Sequence, residues 1–231
     1  MQKFTWRDTG GRPYSGWRIH VRSSAITNAG AVVSENTFAQ IAAADQWTIV
    51  SSSASDITQT ATVWYVDADN HLWFEKQALN GTTRVESVAT AKYIVGAYLD
   101  IVAVGTVLLE RSNTPTFTDI GSITIGEMSL NVAQFYAGPS TWGVVKFGAG
   151  VQSTDGSIDF QLRIHKDAAT TTTGFNIADT IHLTNVLGSQ AFNRYEDGMI
   201  LVPAGGKVEV FGKSTADTSD GWCTFDIVQL T

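Results

Sequence analysis

Histidines, carboxylates and one thiol are the side chains that would carry chemistry in this chain, and their spacing argues against each use. The four histidines are scattered. His165 and His182 stand in neighbouring candidate strands, where they would need a third ligand or a placed carboxylate to hold a metal; polar surface residues are the simpler reading. Asp67, Asp69 and Asn70 alternate oxygen donors as the start of a calcium loop does. The glycine and bidentate glutamate that complete such a loop are missing, and a hairpin turn accounts for the run. Asp217, Ser219, Asp220 and Gly221 read likewise as a turn into the last strand. Glu75 and Glu86 are the carboxylates that glycoside hydrolysis would draw on, but nothing around either would raise its pKa or bring it to a partner. Cys223 is the single cysteine, so no internal disulfide or cysteine cluster forms, and in Trp222-Cys223-Thr224-Phe225 it reads as a buried thiol. There is no P-loop, nucleophile elbow or dinucleotide fingerprint, and GAGVQSTDG has no lysine placed for phosphate. The expectation is a non-enzyme with no cofactor and no metal.

Binding remains. Trp64, Trp73, Trp142 and Trp222, with Tyr65 and Tyr136, would make sugar-stacking platforms where strand alternation turns them outward, and core or protein-interface residues where it does not. Charged residues are only 16% of the chain, below the usual quarter, so much of its surface is expected to meet other protein. The net charge of −7 makes it a poor holder of a phosphate backbone, and no nucleic-acid partner is expected. No stretch approaches the ~20 apolar residues of a membrane span. The opening MQKFTWRDTGGRP lacks the apolar region of a secretory leader, so a reducing cytoplasm is the expected place of synthesis.

The elements that must position these residues are strands. Val, Ile, Thr and aromatics are frequent, broken by 21 glycines and Ser/Thr/Asn stretches. Residues 1–24 read as an extended arm, with Gly10-Gly11, Pro13 and Gly16 interrupting any pattern. Trp6, Arg7, Arg12, Tyr14, Trp17 and Arg18 are its candidate partner-binding residues. The arm either clasps a neighbour or folds back on its own domain. A short helix is predicted near Glu35–Asp45. TATVWYV and LWFEKQAL form a hairpin around Asp67–Asn70, and Asn80-Gly81 makes a further turn. The run YIVGAYLDIVAVGTVLL is too long for one strand and divides at Gly96 or Gly105. RSNTPTFTD is a polar loop or domain boundary. Beyond it, strands such as SIDFQLRIH and WCTFDIVQL alternate apolar and polar residues. The predicted class is all-β, with two antiparallel β-sandwich or jelly-roll-like domains over 25–125 and 126–231.

Three runs carry a family resemblance. Val50-Ser51-Ser52-Ser53-Ala54-Ser55-Asp56, then TVWYVDADN, then Leu79-Asn80-Gly81-Thr82-Thr83-Arg84-Val85 resemble a pattern that recurs in virion structural proteins of tailed bacteriophages. The likeness continues through Asp119–Ile125, FQLRIHKD, Leu201–Val210 and WCTFDIVQL, and so covers the chain from about Gln46 onward. It implies a virion structural role, in particles assembled in the host cytoplasm, and brings no catalytic residues. With the low charge and the arm, it points to a capsid decoration or cement protein binding across capsid subunits. Partners would be the major capsid protein or other virion proteins, and copies of itself in a homo-oligomer such as a trimer. The alternatives are a neck, tail or head-fibre component, and a carbohydrate-binding module for host-surface glycans.

Overall fold

A computed structural model describes residues 2–7, 13–34, 45–69, 71–113, 116–153, 156–166, 175–184, 189–195, 198–216 and 219–230. The first segment carries β1 (Gln2–Arg7), β2 (Pro13–Ile26) and β3 (Ala31–Val32). The middle carries β4 (Trp47–Ser51), β5 (Thr60–Val66), β6 (Leu72–Ala78), β7 (Val85–Glu86), β8 (Tyr93–Leu99), β9 (Val107–Asn113), β10 (Thr116–Ile123) and β11 (Ser129–Asn131). The last segment carries β12 (Gln134–Tyr136), β13 (Trp142–Ser153), β14 (Ile158–His165), β15 (Phe175–Leu183), β16 (Gln190–Arg194), β17 (Ile200–Val202), β18 (Lys207–Ser214) and β19 (Ser219–Gln229). The described residues hold no helix, so the class is all-β as predicted, and every pairing between these strands is antiparallel. The helix expected at 35–45 falls almost wholly outside the described residues. No described helix is long and apolar enough to cross a membrane.

The chain packs as two compact units, one of Met1–Glu35 with Ala133–Thr231 and one of Asn36–Val132. This differs from the expected division at 24 and 125: the opening segment belongs with the last one, and the middle is an insertion.

In the middle unit the sheets run β10-β9-β4-β7 and β11-β8-β5-β6. Both contribute to one core, with Trp47 and Leu109 from the first and Val63, Ile94 and Leu130 from the second. Alternation along β5 turns Ala61, Val63 and Tyr65 into that core. Trp47 is fully buried, and its indole N–H donates to Gln77 Oε1 at 3.1 Å. The hairpin predicted around Asp67 joins β5 to β6 in register Val66↔Leu72. The long apolar run divides as expected into β8 and β9, with Gly105 in the break. The predicted boundary loop 111–119 is instead a β9–β10 hairpin, because Thr116 and Phe117 continue the pairing with Asn113 and Ser112.

The other unit builds one sheet in the order β1-β2-β19-β13-β16, with β17 also on β13. The second runs β12-β18-β14-β15, with β3 on β18. Ile19, Val21, Phe147 and Phe225 from the first share a core with Phe160 and Val208 from the second. The arm is therefore not extended. β1 and β2 form an antiparallel pair, and β2 is zipped to β19 from Ser219↔Ile26 to Val228↔Gly16. The pattern was there to be read: Ile19 and Val21 are buried, while Arg18, His20 and Arg22 between them are exposed. Gly16 breaks the pattern because a Cβ there would meet the Phe4 ring at 2.7 Å and the Ile227 carbonyl at 2.8 Å. Of the two fates proposed for the arm, it takes the second and folds back on its own unit.

Candidate functional site

The candidate chemical residues do not assemble into a reactive site. His165 and His182 lie at opposite ends of the β14–β15 ladder, opposite Phe175 and Asp159. His182 Nδ1 sits 2.5 Å from Asp159 Oδ1 on the surface. Titratable groups do converge at His165, Glu209 and Lys207, with His165 Nε2 3.0 Å and Lys207 Nζ 2.6 Å from the glutamate oxygens. His165 is 0% and Glu209 3% exposed, so no substrate reaches them. Burial pushes the Glu209 pKa up, but the contacts with His165 and Lys207 outweigh it and leave the pKa lowered. Glu75 and Glu86 are both occupied and sit in different sheets. The first accepts the backbone N–H groups of Val88 and Ala89, the second the Ser112 hydroxyl. Ligand atoms of Asp67, Asp69 and His71 lie within 4.8 Å of one another at the β5–β6 turn. Asp67 already accepts the His71 N–H at 2.9 Å and the Trp73 indole N–H at 2.7 Å, the bonds of a turn. Of the candidate stacking aromatics, Tyr65, Tyr136 and Trp142 are buried and Trp73 is 53% exposed.

What the middle unit exposes is an apolar end built from three loops. Ser51–Gln59 leads from β4 to β5, Asp100–Thr106 from β8 to β9, and Thr124–Met128 from β10 to β11. Asp56 ties the first two together. Its fully buried carboxylate accepts the Ser51 hydroxyl at 2.5 Å, the Val104 N–H at 2.8 Å, the Gly105 N–H at 2.9 Å and the Gln59 amide at 3.1 Å. Burial pushes its pKa up, and these hydrogen bonds more than reverse the shift, leaving it below the ordinary carboxylate value. Gly105 must be glycine, since a Cβ would lie 2.6 Å from Ser52 Oγ and Ser53 N. The backbone bonds Ser52 N–H to Thr106 O and Asp100 N–H to Thr60 O complete the joint, and Leu99 N–H to Met128 O brings in the third loop.

Two of the three runs that carry the resemblance meet here. Gly81 donates its N–H to the Asp56 carbonyl at 2.8 Å and accepts from the Ser51 N–H at 3.0 Å. Its φ of 56° suits glycine, and a Cβ would come within 2.9 Å of the Ala54 carbonyl. The Ser-rich run and the Asn-Gly turn are two halves of one scaffold.

That scaffold holds apolar side chains in solvent. Ile57 and Val104 are each 62% exposed, Ile101 54% and Val102 42%. Ile125 and Met128 on the third loop are exposed as well. Scattered exposed aliphatics are ordinary; here several are gathered on loops fastened by a buried carboxylate, which makes this end the candidate interaction surface. The sequence hid this, because an apolar loop such as Ile101–Val104 reads as strand.

The six residues assigned to the arm fall elsewhere. Trp6 and Arg7 are on the edge strand β1, opposite Tyr14 and Pro13. Trp17 packs against the core, and Arg18 forms a bidentate pair with Asp226, both bonds 2.7 Å. Arg12 lies outside the described residues.

No family model matches the chain, and no curated protein does. Solved structures similar to it include the tandem carbohydrate-binding domains CBM22-1 and CBM22-2 of Paenibacillus barcinonensis Xyn10C, at 10% identity over 99% of this chain and 91% of that one, with a TM-score of 0.29. The T13 particle of infectious bursal disease virus matches at 10% identity over 98% and 67%, TM-score 0.24. The Gx strain of that virus matches at 8% over 99% and 72%, TM-score 0.28. Superpositions this weak carry no argument about function.

Proposed function

We propose that this chain is a non-enzymatic structural protein of a tailed-bacteriophage virion, acting as a capsid decoration protein. Each unit is read as a two-layer β-sandwich serving as a rigid block. The observation that carries the reading is the apolar loop end of the middle unit. Ile57, Ile101, Val102 and Val104 are held in solvent by the Asp56 joint, and Ser51, Asp56 and Gly81 of that joint belong to the runs that carry the virion-protein resemblance.

Burying such a side chain from half-exposure contributes about 1 kcal/mol, so the loop end alone gives modest affinity. Specific association needs an interface of roughly 1,200–2,000 Å², which a homo-oligomer such as a trimer would reach by presenting several loop ends together. Repetition over a capsid lattice turns weak contacts into tight retention. Binding only the assembled head would stabilise it by mass action.

Cryo-electron microscopy of virions that carry the chain tests this. Density repeated over capsomer junctions, with the Ile57 and Val104 loops at the contact, is the expected result. Density confined to the portal or tail would refute decoration and leave a neck or tail component; absence from purified virions would refute the virion assignment altogether.

A further inference from the structure

The outer face of the five-strand path β1-β2-β19-β13-β16 carries a row of aromatic rings that neither the core nor the loop end uses. Alternation that sends Val21, Cys223 and Ala149 inward sends His20, Trp222, Gly148 and Gly150 outward. The ring centroids of His20 and Trp222 are 5.5 Å apart, those of Trp222 and Phe192 5.7 Å, with interplanar angles of 38° and 41°. The three rings thus form a shallow row across the sheet.

Two glycines explain how the rings lie so low. A Cβ on Gly150 would come within 2.5 Å of the Trp222 indole, and one on Gly148 would collide with the Phe192 ring. Neither glycine has a positive φ, so close approach of a ring is what excludes a side chain. Glycine weakens a strand interior, and covering it with an aromatic ring recovers part of that loss. This accounts for one ring per glycine. It does not account for His20, which extends the row on β2, nor for the exposure of Phe192, which is 44%.

Planar polar groups flank the rings. Arg18 grips Asp226 through Nε and Nη2, both at 2.7 Å, and Arg22 grips Asp220 at 3.3 and 2.7 Å. Lys146 Nζ stands 4.5 Å from the Phe192 centroid. The core of a protein–protein interface is depleted in charge, whereas here guanidinium–carboxylate pairs border the rings directly. The two guanidiniums offer exposed donors beside the rings, Asp220 adds a partly exposed acceptor while Asp226 is buried, and the charges are mutually compensated. A pyranose ring matches that pattern: its C–H face is weakly electropositive and sits on the negative face of an aromatic ring, while its equatorial hydroxyls point sideways to donors and acceptors.

We infer that the His20–Trp222–Phe192 row is a carbohydrate-binding platform that takes consecutive pyranose units of a polysaccharide. The inference does not depend on the capsid reading, since it rests on a different unit and a different surface.

Native gels of the whole chain, cast with dextran, xylan, galactomannan, amylopectin or the acidic polysaccharide alginate, test it. Retarded migration in at least one gel is expected, weakened about tenfold by Phe192→Ala and by His20→Ala. Both variants remove exposed rings, and unchanged far-ultraviolet dichroism and melting temperature verify that they fold. Retardation by alginate alone, abolished at high salt and unaffected by either variant, would overturn the platform in favour of simple charge attraction. No retardation in any gel would overturn it outright. So would self-association in sedimentation velocity that disappears in Phe192→Ala without any polysaccharide effect, since a second copy would then cover the face. Val104→Glu serves as the separating control, because it should abolish capsid retention and leave gel retardation intact.

Discussion

Asp56→Ala should be among the most damaging single changes in the middle unit, out of proportion to the size of the side chain. Its carboxylate is fully buried and takes four hydrogen bonds, two of them from the backbone N–H groups of Val104 and Gly105. Truncation leaves those N–H groups without acceptors, at about 1–3 kcal/mol for each buried donor. The Ser51 hydroxyl and the Gln59 amide lose a charged partner as well, and the total comes to roughly 3–5 kcal/mol. For a chain of this size that is a melting temperature lower by ~10 °C. Asp56→Asn keeps the shape but turns an N–H₂ toward donors, and should cost about half as much. Amide exchange at Val104 and Gly105 should accelerate in both variants ahead of the core strands. The sign of the pH dependence follows from the lowered pKa. The stabilisation is complete above the unfolded carboxyl value of about 3.9 and is lost as pH falls through the still lower folded value. The stability gap between wild type and Asp56→Asn should therefore be widest near neutrality and shrink below about pH 4. A gap that stays constant from pH 7 to 3, or an alanine variant within ~1 kcal/mol of wild type in urea titration, would refute the reasoning.

Other changes probe the same unit and the other one. Arg84→Met strands the buried Glu110, which accepts Arg84 Nε at 2.7 Å, Nη2 at 2.9 Å and the Thr48 hydroxyl at 3.1 Å. Because Arg84 is itself nearly half exposed and water replaces part of the contact, a partial loss of stability is expected in urea denaturation, largely recovered by adding Glu110→Gln. Gly81→Ala should cost roughly 2–3 kcal/mol, combining a left-handed φ with the Ala54 carbonyl in the way. Gly126→Ala, at φ 87° with nothing within 4 Å, should cost only the backbone strain of about 1 kcal/mol, and thermal melts separate the two. Burial pushes the Cys223 thiol far up, so iodoacetamide at pH 8 should leave it unmodified by mass spectrometry until denaturant is added.

The sequence was most legible where alternation is strict. Ile158, Phe160, Leu162 and Ile164 read as one buried face of a strand, and β14 buries them. The hairpin at Asp67 was equally plain, because a polar turn separates two apolar runs. Two readings failed for definite reasons. Residues 13–26 looked irregular because Pro13 and Gly16 mask a strand whose partner, β19, begins more than 190 residues later; local pattern carries no information about such a pairing. The break at Gly105 was legible, but Ile101–Val104 looked like strand because these residues are apolar, and composition cannot tell a buried aliphatic from one displayed on a loop. Asp56 was visible only as part of a Ser-rich run, its role depending on Val104 and Gly105 some fifty positions away.

The pairing of β2 with β19 also changes where a partner must be sought. An extended arm would clasp a neighbour through its own backbone, but residues 16–26 have committed theirs to β19. Arg18 and Arg22 have likewise committed their charge, to Asp226 and Asp220. Detaching this segment would expose the buried Ile19 and Val21 and leave Asp226, only 5% exposed, without its guanidinium, an outcome far costlier than an arm's contacts would return. Association therefore has to use surfaces that are complete in the folded chain. The loop end at Asp56 and the ring row at Trp222 both meet that condition, and they differ in kind. The first offers a group of aliphatics with only Asp100 and Glu127 exposed beside them on the same loops, suited to a protein interface with an apolar centre. The second sets rings among compensated charges, suited to a hydrated polyol. A protein fixed to a particle by one and touching a glycan by the other would need no moving part, only two rigid surfaces.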